Sequence, residues 1–313
     1  MFDLSGKRIF VAGHGGMVGA ALVRRLERDG RTVLTAGRAE LDLTRQQAVD
    51  DWMAAKRPEV VIIAAARVGG IAANAARPVD FLADNLLIET NLMRAAAASG
   101  VAKLLFLGSS CIYPRDAAQP MAEDALLTGP LETTNQWYAI AKIAGIKLAQ
   151  AYRQQYGLDF ISAMPTNLYG PGDNYDLESS HVIPALMRKA IEARDAGAAT
   201  MTVWGSGTPL REFMHVDDLA DALVFLLETY SEAEHINVGT GAEVTIAEVT
   251  REIAGVVGFT GGLAFDASRA DGTPRKLMDS SRLHALGWRS RIGLRDGLAD
   301  AYAQFMAGHR IRA

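Results

Sequence analysis

The chain has 313 residues, 49% hydrophobic and 22% charged, a balance that suits a globular protein of one large domain or a domain plus a lobe and excludes a chain disordered throughout. A net charge of −4 excludes a general nucleic-acid binder, which would carry a basic stripe, and a single cysteine excludes an internal disulfide framework and points to a reducing compartment. No apolar run reaches the roughly 18 residues needed to span a bilayer, and no basic segment with a long apolar one behind it precedes the first strand, so we expect a cytoplasmic protein with no membrane partner.

Residues 8–12 (Arg-Ile-Phe-Val-Ala) read as a buried strand, followed by a glycine turn and a helix to about residue 30. Short apolar runs at 32–35, 60–65, 103–108 and 160–164 read as further strands. Helical spacing fills 48–56 and 81–99, and a helix carrying Tyr138 and Lys142 precedes the last of these strands. Continuous apolar strands separated by helices imply an α/β fold, a Rossmann-type doubly wound parallel sheet covered on both faces. We place this dinucleotide-binding domain at residues 1–170. Past 171 the alternation stops and Gly, Pro, Asp and Ser become dense, as in Gly170-Pro-Gly-Asp-Asn174 and Gly205-Ser-Gly-Thr-Pro209. Residues 171–313 are therefore expected to form mainly a smaller C-terminal α/β substrate lobe, with segments around 210–240, including a helix over 217–228, packing back onto the sheet domain. The end of the chain, 308–313, is expected to fray.

Gly13-His-Gly-Gly16-Met-Val-Gly19 follows the first strand and opens the first helix. This spacing permits a tight turn, close backbone approach to a pyrophosphate, and a phosphate at the positive end of the helix dipole. An ordinary strand-to-helix turn also carries glycines, but the position within a βαβ unit favours the dinucleotide reading. At the end of the second strand Arg38 favours a 2′-phosphate, and so NADP(H), where an acidic residue would hold a free ribose diol. The same arginine also fits a solvated surface. Asp42, followed by Leu43, either meets the adenine or caps the helix beginning near Thr44.

Tyr138 and Lys142, four residues apart, share one face of a helix, where a lysine ammonium makes a phenol a usable proton donor or acceptor. Ser109, just after the fourth strand, completes a set for carbonyl reduction, and Lys142 is also placed to bond the nicotinamide ribose. Cys111 and His181 exceed what hydride transfer needs, so a second acid–base reaction is implied. Taken singly, Cys111 also fits a small buried hydrophobe and His181 a solvated loop residue.

Gly13-x-x-Gly16-x-x-Gly19 with Tyr138-x-x-x-Lys142 resembles the extended short-chain dehydrogenase/reductase family. Longer strings carry the likeness from Lys7 to about Tyr302: Gly108-Ser-Ser-Cys-Ile-Tyr-Pro114, Pro165-Thr-Asn-Leu-Tyr-Gly-Pro171, Ser180-His-Val-Ile-Pro-Ala-Leu186, Val203-Trp-Gly-Ser-Gly-Thr-Pro209, Arg211-Glu-Phe-Met-His-Val-Asp217 and Asp271-Gly-Thr-Pro-Arg-Lys276. The resemblance implies NADP(H) bound by Gly13, His14, Gly16, Met17, Val18, Gly19, Arg38, Asp42, Leu43, Leu107, Gly108, Ser109, Tyr138, Lys142, Pro165, Asn167, Leu168 and His181. It implies a GDP-linked 4-keto sugar, such as GDP-4-keto-6-deoxy-D-mannose, epimerised at C3 and C5 and reduced at C4. By the same resemblance Cys111 is the base, His181 the acid, Ser109 and Tyr138 the partners of the enolate oxygen, and Ser109, Asn167, Lys189, Trp204, Arg211 and Asp279 the substrate contacts. No metal is implied. Relatives dimerise through two long helices, here the segments 81–99 and 136–156, so a homodimer is expected. Many relatives carry Arg where this chain has Gly15, a second cation where it has Ala36, and Arg where it has Lys189. A related GDP-4-keto heptose, a sugar-nucleotide 4-epimerase that would not need Cys111 and His181, and a catalytically silent NADP sensor are the competing readings.

Overall fold

The computed structural model describes residues 1–177, 180–269 and 271–308. Its elements in chain order are β1 (Arg8–Ala12), α1 (Met17–Arg28), β2 (Thr32–Leu34), α2 (Gln46–Lys56), β3 (Val60–Ile63), α3 (Ile71–Ala76), α4 (Pro78–Ala98), β4 (Lys103–Leu107), α5 (Gln136–Tyr156), β5 (Phe160–Pro165), β6 (Asn167–Tyr169), α6 (Val182–Asp195), β7 (Thr200–Trp204), β8 (Leu210–His215), α7 (Val216–Thr229), β9 (Ile236–Val238), β10 (Glu243–Thr245), α8 (Ile246–Val257), β11 (Gly262–Asp266), β12 (Arg275–Lys276), α9 (Ser281–Ala285) and α10 (Leu294–Met306). The expected frayed end, from 309 onward, lies outside the described residues.

The main sheet is parallel and ordered β2-β1-β3-β4-β5-β9. Every residue of β3 (Val-Val-Ile-Ile) and β4 (Lys-Leu-Leu-Phe-Leu) is buried, as a sheet covered on both faces requires. Alternation along the strands then divides the core in two. Ile9, Val11, Val60, Ile62 and Leu105 pack with α1 and α7, whereas Phe10, Val61, Ile63, Leu104 and Phe106 pack with α2, α4 and α5. The family-type doubly wound sheet inferred from sequence is therefore present, with β1 flanked by β2 and β3. The strand order reverses there, and the crevice beyond the carboxyl ends of β1 and β3 is where open α/β sheets receive ligands.

β9 has no counterpart in the sequence reading, because three residues between His235 and Gly239 are too few for a periodic signal. It pairs with β5 in register Ala163↔Ile236, so the sheet takes its last strand from the late chain, and α7 packs on α1. The other strands make a second sheet, in which β8 is joined by β6, β10 and β12, and a β7–β11 pair. A third core, including Met187, Ile191, Met201, Val249 and Ile253, lies among α6, α8 and α10. Among the described residues no helix is long and apolar enough to cross a membrane.

Leu105 is fully buried at the centre of the sheet. Leu105→Ala is expected to cost about 2–5 kcal/mol, read as a lower denaturation midpoint with unchanged slope. A loss well under about 1 kcal/mol would mean that this layer is not close-packed.

Candidate active site

The glycine turn is shaped by close contact. Gly13 has φ +88°, and a Cβ there would lie 2.6 Å from the Ala65 backbone just beyond β3. A Cβ on Gly19 would likewise strike the Gly13 carbonyl, so helix and turn meet without side chains between them. Gly16 is the N-cap of α1 and no side chain caps that end, which leaves the N–H groups opening the helix, at Met17 and Val18, for an anion. The Nδ1 of His14 is buried beside this turn without a hydrogen-bond partner. These features fit a dinucleotide pyrophosphate.

Beyond β2, Arg38 is exposed and makes no hydrogen bond or ion pair among the described residues. The nearby acids are engaged. Glu40 accepts from Trp52 Nε1 at 3.2 Å, and Asp42 accepts from the Thr44 backbone N–H and hydroxyl at 3.0 and 2.7 Å. Those Thr44 bonds hold the Asp42 carboxyl below its ordinary range. Asp42 thus closes a turn and does not cap α2, whose N-cap residue is Arg45. Leu43 packs on the core beneath α2 and α4.

At the end of β4 the chain passes through Leu107 and Gly108, where a Cβ would collide with Met164. Ser109 then caps a short 3₁₀ turn, Ser110–Ile112, its Oγ accepting from the Cys111 N–H at 3.5 Å. From α5, Lys142 reaches under the site and its Nζ donates to the Leu107 carbonyl at 3.0 Å, lying 4.6 Å from the Phe106 ring centre and 5.9 Å from that of Tyr138. The Ser109 hydroxyl interacts with both the Cys111 thiol and the Tyr138 phenol. Ser109, Cys111, Tyr138 and Lys142 are therefore gathered in one place.

Burial pushes the Tyr138 phenol up, reinforced by the charges of Cys111 and Glu89 and opposed by the Ser109 hydroxyl. Burial also pushes the Cys111 thiol up, opposed first by the Lys276 ammonium, then by Ser109 and Lys142. The Lys142 amine is driven down by burial and supported by Glu89. His181, the N-cap residue of α6, keeps an exposed edge, yet surrounding protein and then the same Lys276 charge lower its imidazole pKa.

Lys276 was given no role by sequence reasoning, although it closes one of the recognised strings. It stands on β12 opposite Arg211 of β8 and lines a cavity of about 50 Å³ with Ser110 and Cys111. It makes no hydrogen bond or ion pair among the described residues. A strand of two residues carries no periodicity, so only the pairing with β8 reveals where this lysine points its charge.

Pro165 ends β5, and Asn167 opens β6 with its Nδ2 donating to the Glu212 carbonyl at 2.8 Å; Leu168 packs on the core of α1 and α7. Farther out, Lys189 Nζ lies 4.2 Å and Arg269 Cζ 5.1 Å from the ring centre of Trp204, which is 58% exposed. Arg269 is a second residue that the sequence did not single out. Burial lowers the Arg211 guanidinium pKa, with Asp271 opposing, and Lys276 lies within its electrostatic reach. Lys189, Trp204, Arg211 and Lys276 thus supply cations and a flat ring leading toward Cys111. Asp279 stands apart in its bonding: its carboxylate accepts from the Ser281 N–H at 2.9 Å, at the start of α9. Among the described residues no group of acids, histidines and cysteine is arranged to hold a metal.

A glycine turn at the switch point and a hydroxyl, phenol and lysine at the end of β4 define a nicotinamide-dependent enzyme, and the chain belongs to the NAD dependent epimerase/dehydratase family, whose sequence model matches residues 9–239. GDP-L-fucose synthase from Sinorhizobium fredii is 58% identical over 307 residues, covering 98% of each chain. GDP-L-fucose synthase 1 from Arabidopsis thaliana is 59% identical over 307 residues, covering 98% of this chain and 95% of its own. A solved GDP-L-fucose synthetase from Naegleria fowleri bound to NADP superposes with a TM-score of 0.90 at 28% identity, covering 99% of this chain and 97% of its own.

Because the chain holds a single cysteine, its thiol can be titrated without ambiguity. Lys276→Met removes a cation that pulls the thiol pKa down, so the pH midpoint of iodoacetamide alkylation is expected to rise by roughly one unit. An unmoved midpoint would exclude Lys276 as the charge that acts on Cys111.

Proposed function

We propose that the chain converts GDP-4-keto-6-deoxy-D-mannose to GDP-L-fucose, epimerising C3 and C5 and then reducing C4 with NADPH. The observation that carries this reading is the convergence of the Ser109 hydroxyl, Cys111 thiol and Tyr138 phenol over Lys142, with His181 and Cys111 under one lysine charge. Carbonyl reduction alone uses the hydroxyl, phenol and lysine; the thiol and imidazole are the extra pair that epimerisation requires.

A 4-keto group acidifies the hydrogens at C3 and C5, because the carbanion delocalises onto the ketone oxygen. Cys111 serves as the base and His181 returns a proton from the opposite face. Ser109 and Tyr138 donate hydrogen bonds to the enolate oxygen, a preorganised pair of the oxyanion-hole kind. Lys276 makes the thiolate accessible despite burial. When bound, NADPH supplies the hydride for C4. The same oxygen becomes anionic again in that step, and Tyr138, kept protonated by burial, gives it a proton. Lys142, fixed by the Leu107 carbonyl, orients the phenol and the ribose hydroxyls. Lys189 and Arg211 take the pyrophosphate and Trp204 the flat base, while Asn167 borders the sugar; Asp279 joins this set by resemblance alone.

NADPH is preferred over NADH in this reading because Glu40 and Asp42 are occupied by Trp52 and Thr44, leaving Arg38 as the available charge at the end of β2. The reading extends to a homodimer: α4 exposes Val79 and Leu87, and α5 exposes Trp137, Ile140 and Tyr156, an apolar surface suited to helix pairing. The single cysteine, left as a free thiol, suits a cytoplasmic enzyme.

Incubation with GDP-4-keto-6-deoxy-D-mannose is expected to oxidise one NADPH per sugar and to yield GDP-L-fucose by proton NMR; exchange without oxidation would favour an epimerase alone. Tyr138→Phe should lower NADPH oxidation by about 10²–10⁴-fold while NADPH still binds. Cys111→Ser should abolish exchange of the sugar C–H protons in deuterated water, and exchange persisting at both carbons would remove Cys111 as the base.

A further inference from the structure

Helix α4 buries a carboxylate that the chemistry above leaves unused. Glu89 is 2% exposed, and neither of its oxygens has a hydrogen-bond partner of good geometry. It lies against α5 at Gly145, where a Cβ would stand 2.8 Å from Glu89 Oε2 and would also collide with the Phe106 ring. Gly145 follows Lys142 by three residues, so both face the same side of α5. Lys142 is itself 3% exposed and rests on Phe106. Glu89, Lys142 and Phe106 therefore share one apolar chamber behind the phenol.

Among the described residues, the elements packed on α4 bring no charged partner to this carboxylate other than Lys142, and the Gly145 N–H of α5 also bears on it. α5 presents Lys142 and Tyr138, α2 presents Asp50, which is paired with Arg94, α3 (Ile71–Ala76) carries no titratable residue, and β3 presents apolar side chains. Burial pushes the Glu89 carboxyl up to about 8, with the Lys142 ammonium opposing.

We propose that Glu89 is a positioning residue for proton donation: in its ionised form the carboxylate is the counter-ion of the Lys142 ammonium, and the pair retains a proton behind Tyr138 to higher pH than a lone buried lysine could. The inference rests on Tyr138 and Lys142 acting as described above. Its sign follows from charge alone. An anion raises the pKa of a neighbouring ammonium and of a neighbouring phenol, so removing it lets both lose protons earlier. On the alkaline side, where Glu89 is ionised, the lysine beneath the reactive phenol is thereby kept cationic in a site whose dryness would otherwise discharge it.

The test is the pH dependence of NADPH oxidation with the GDP-4-keto sugar. In Glu89→Gln the alkaline limb of kcat is expected to move down by roughly one unit or more, with KM for the sugar within about twofold, since its phosphate contacts lie on α6 and β8. Glu89→Met, an apolar side chain of similar length, should give the same shift and serves if the Gln variant does not accumulate. A purely structural role would lower activity equally at every pH. An alkaline limb that stays in place in the folded variant overturns the inference; if Tyr138→Phe is inactive in the same assay, the proposed function survives that outcome, whereas an active Tyr138→Phe removes the proposed function itself.

Discussion

The bond from Lys142 Nζ to the Leu107 carbonyl ties the helix that carries the phenol to the strand end that carries the hydroxyl and the thiol. A long flexible side chain gains a defined position only when its head is held, and burying an ammonium is unfavourable unless polar groups receive it. The carbonyl, the Phe106 ring and the nearby Glu89 carboxylate do so together. Tyr138 is thereby fixed over Ser109, and Cys111 follows because the Ser109 hydroxyl caps the turn that carries it. Each group that would touch a ketone oxygen depends on this one anchored cation.

Electrostatics then separates the two proposed reactions within a shared space. Burial alone would leave the thiol and the phenol both protonated. The Lys276 charge acts on Cys111 and His181 from β12, whereas Glu89 acts on Tyr138 from α4, and Lys142 of α5 reaches Cys111 as well. The thiol and imidazole proposed for epimerisation thus share the Lys276 charge, whereas the phenol proposed for reduction feels the buried Glu89. The wall holding Lys276 belongs to the second sheet, so the acid–base pair is completed by the part of the chain that also carries Arg211.

The sheet and its helices were legible because uninterrupted apolar runs such as Val-Val-Ile-Ile at 60–63 leave few alternatives to buried parallel strands, and the observed strands begin and end close to the expected positions. Tyr138, Lys142 and Ser109 were legible because helix spacing and a strand end are local facts. β9, Lys276 and Glu89 were not. The first two depend on which distant strand lies alongside, and no local pattern encodes that. Glu89 sits in a helical segment where nothing in the spacing marks it as buried; its burial follows from Gly145 of α5 allowing close approach. Asp42 shows the reverse case, in which the helix-cap alternative gave way to a turn bond with Thr44.

The pairing of β9 with β5 has a consequence for how the molecule can be divided. The strand that seals one margin of the nucleotide sheet is made some seventy residues after β5, and α7, which covers the apolar stripe of α1, precedes it directly. A fragment ending near residue 170 would leave a backbone edge open to strangers and a greasy helix flank in water, a recipe for aggregation. During synthesis the nascent amino-terminal half must wait for its closing strand, so cutting, fusing or permuting the chain is best tolerated outside the span from β1 through β9.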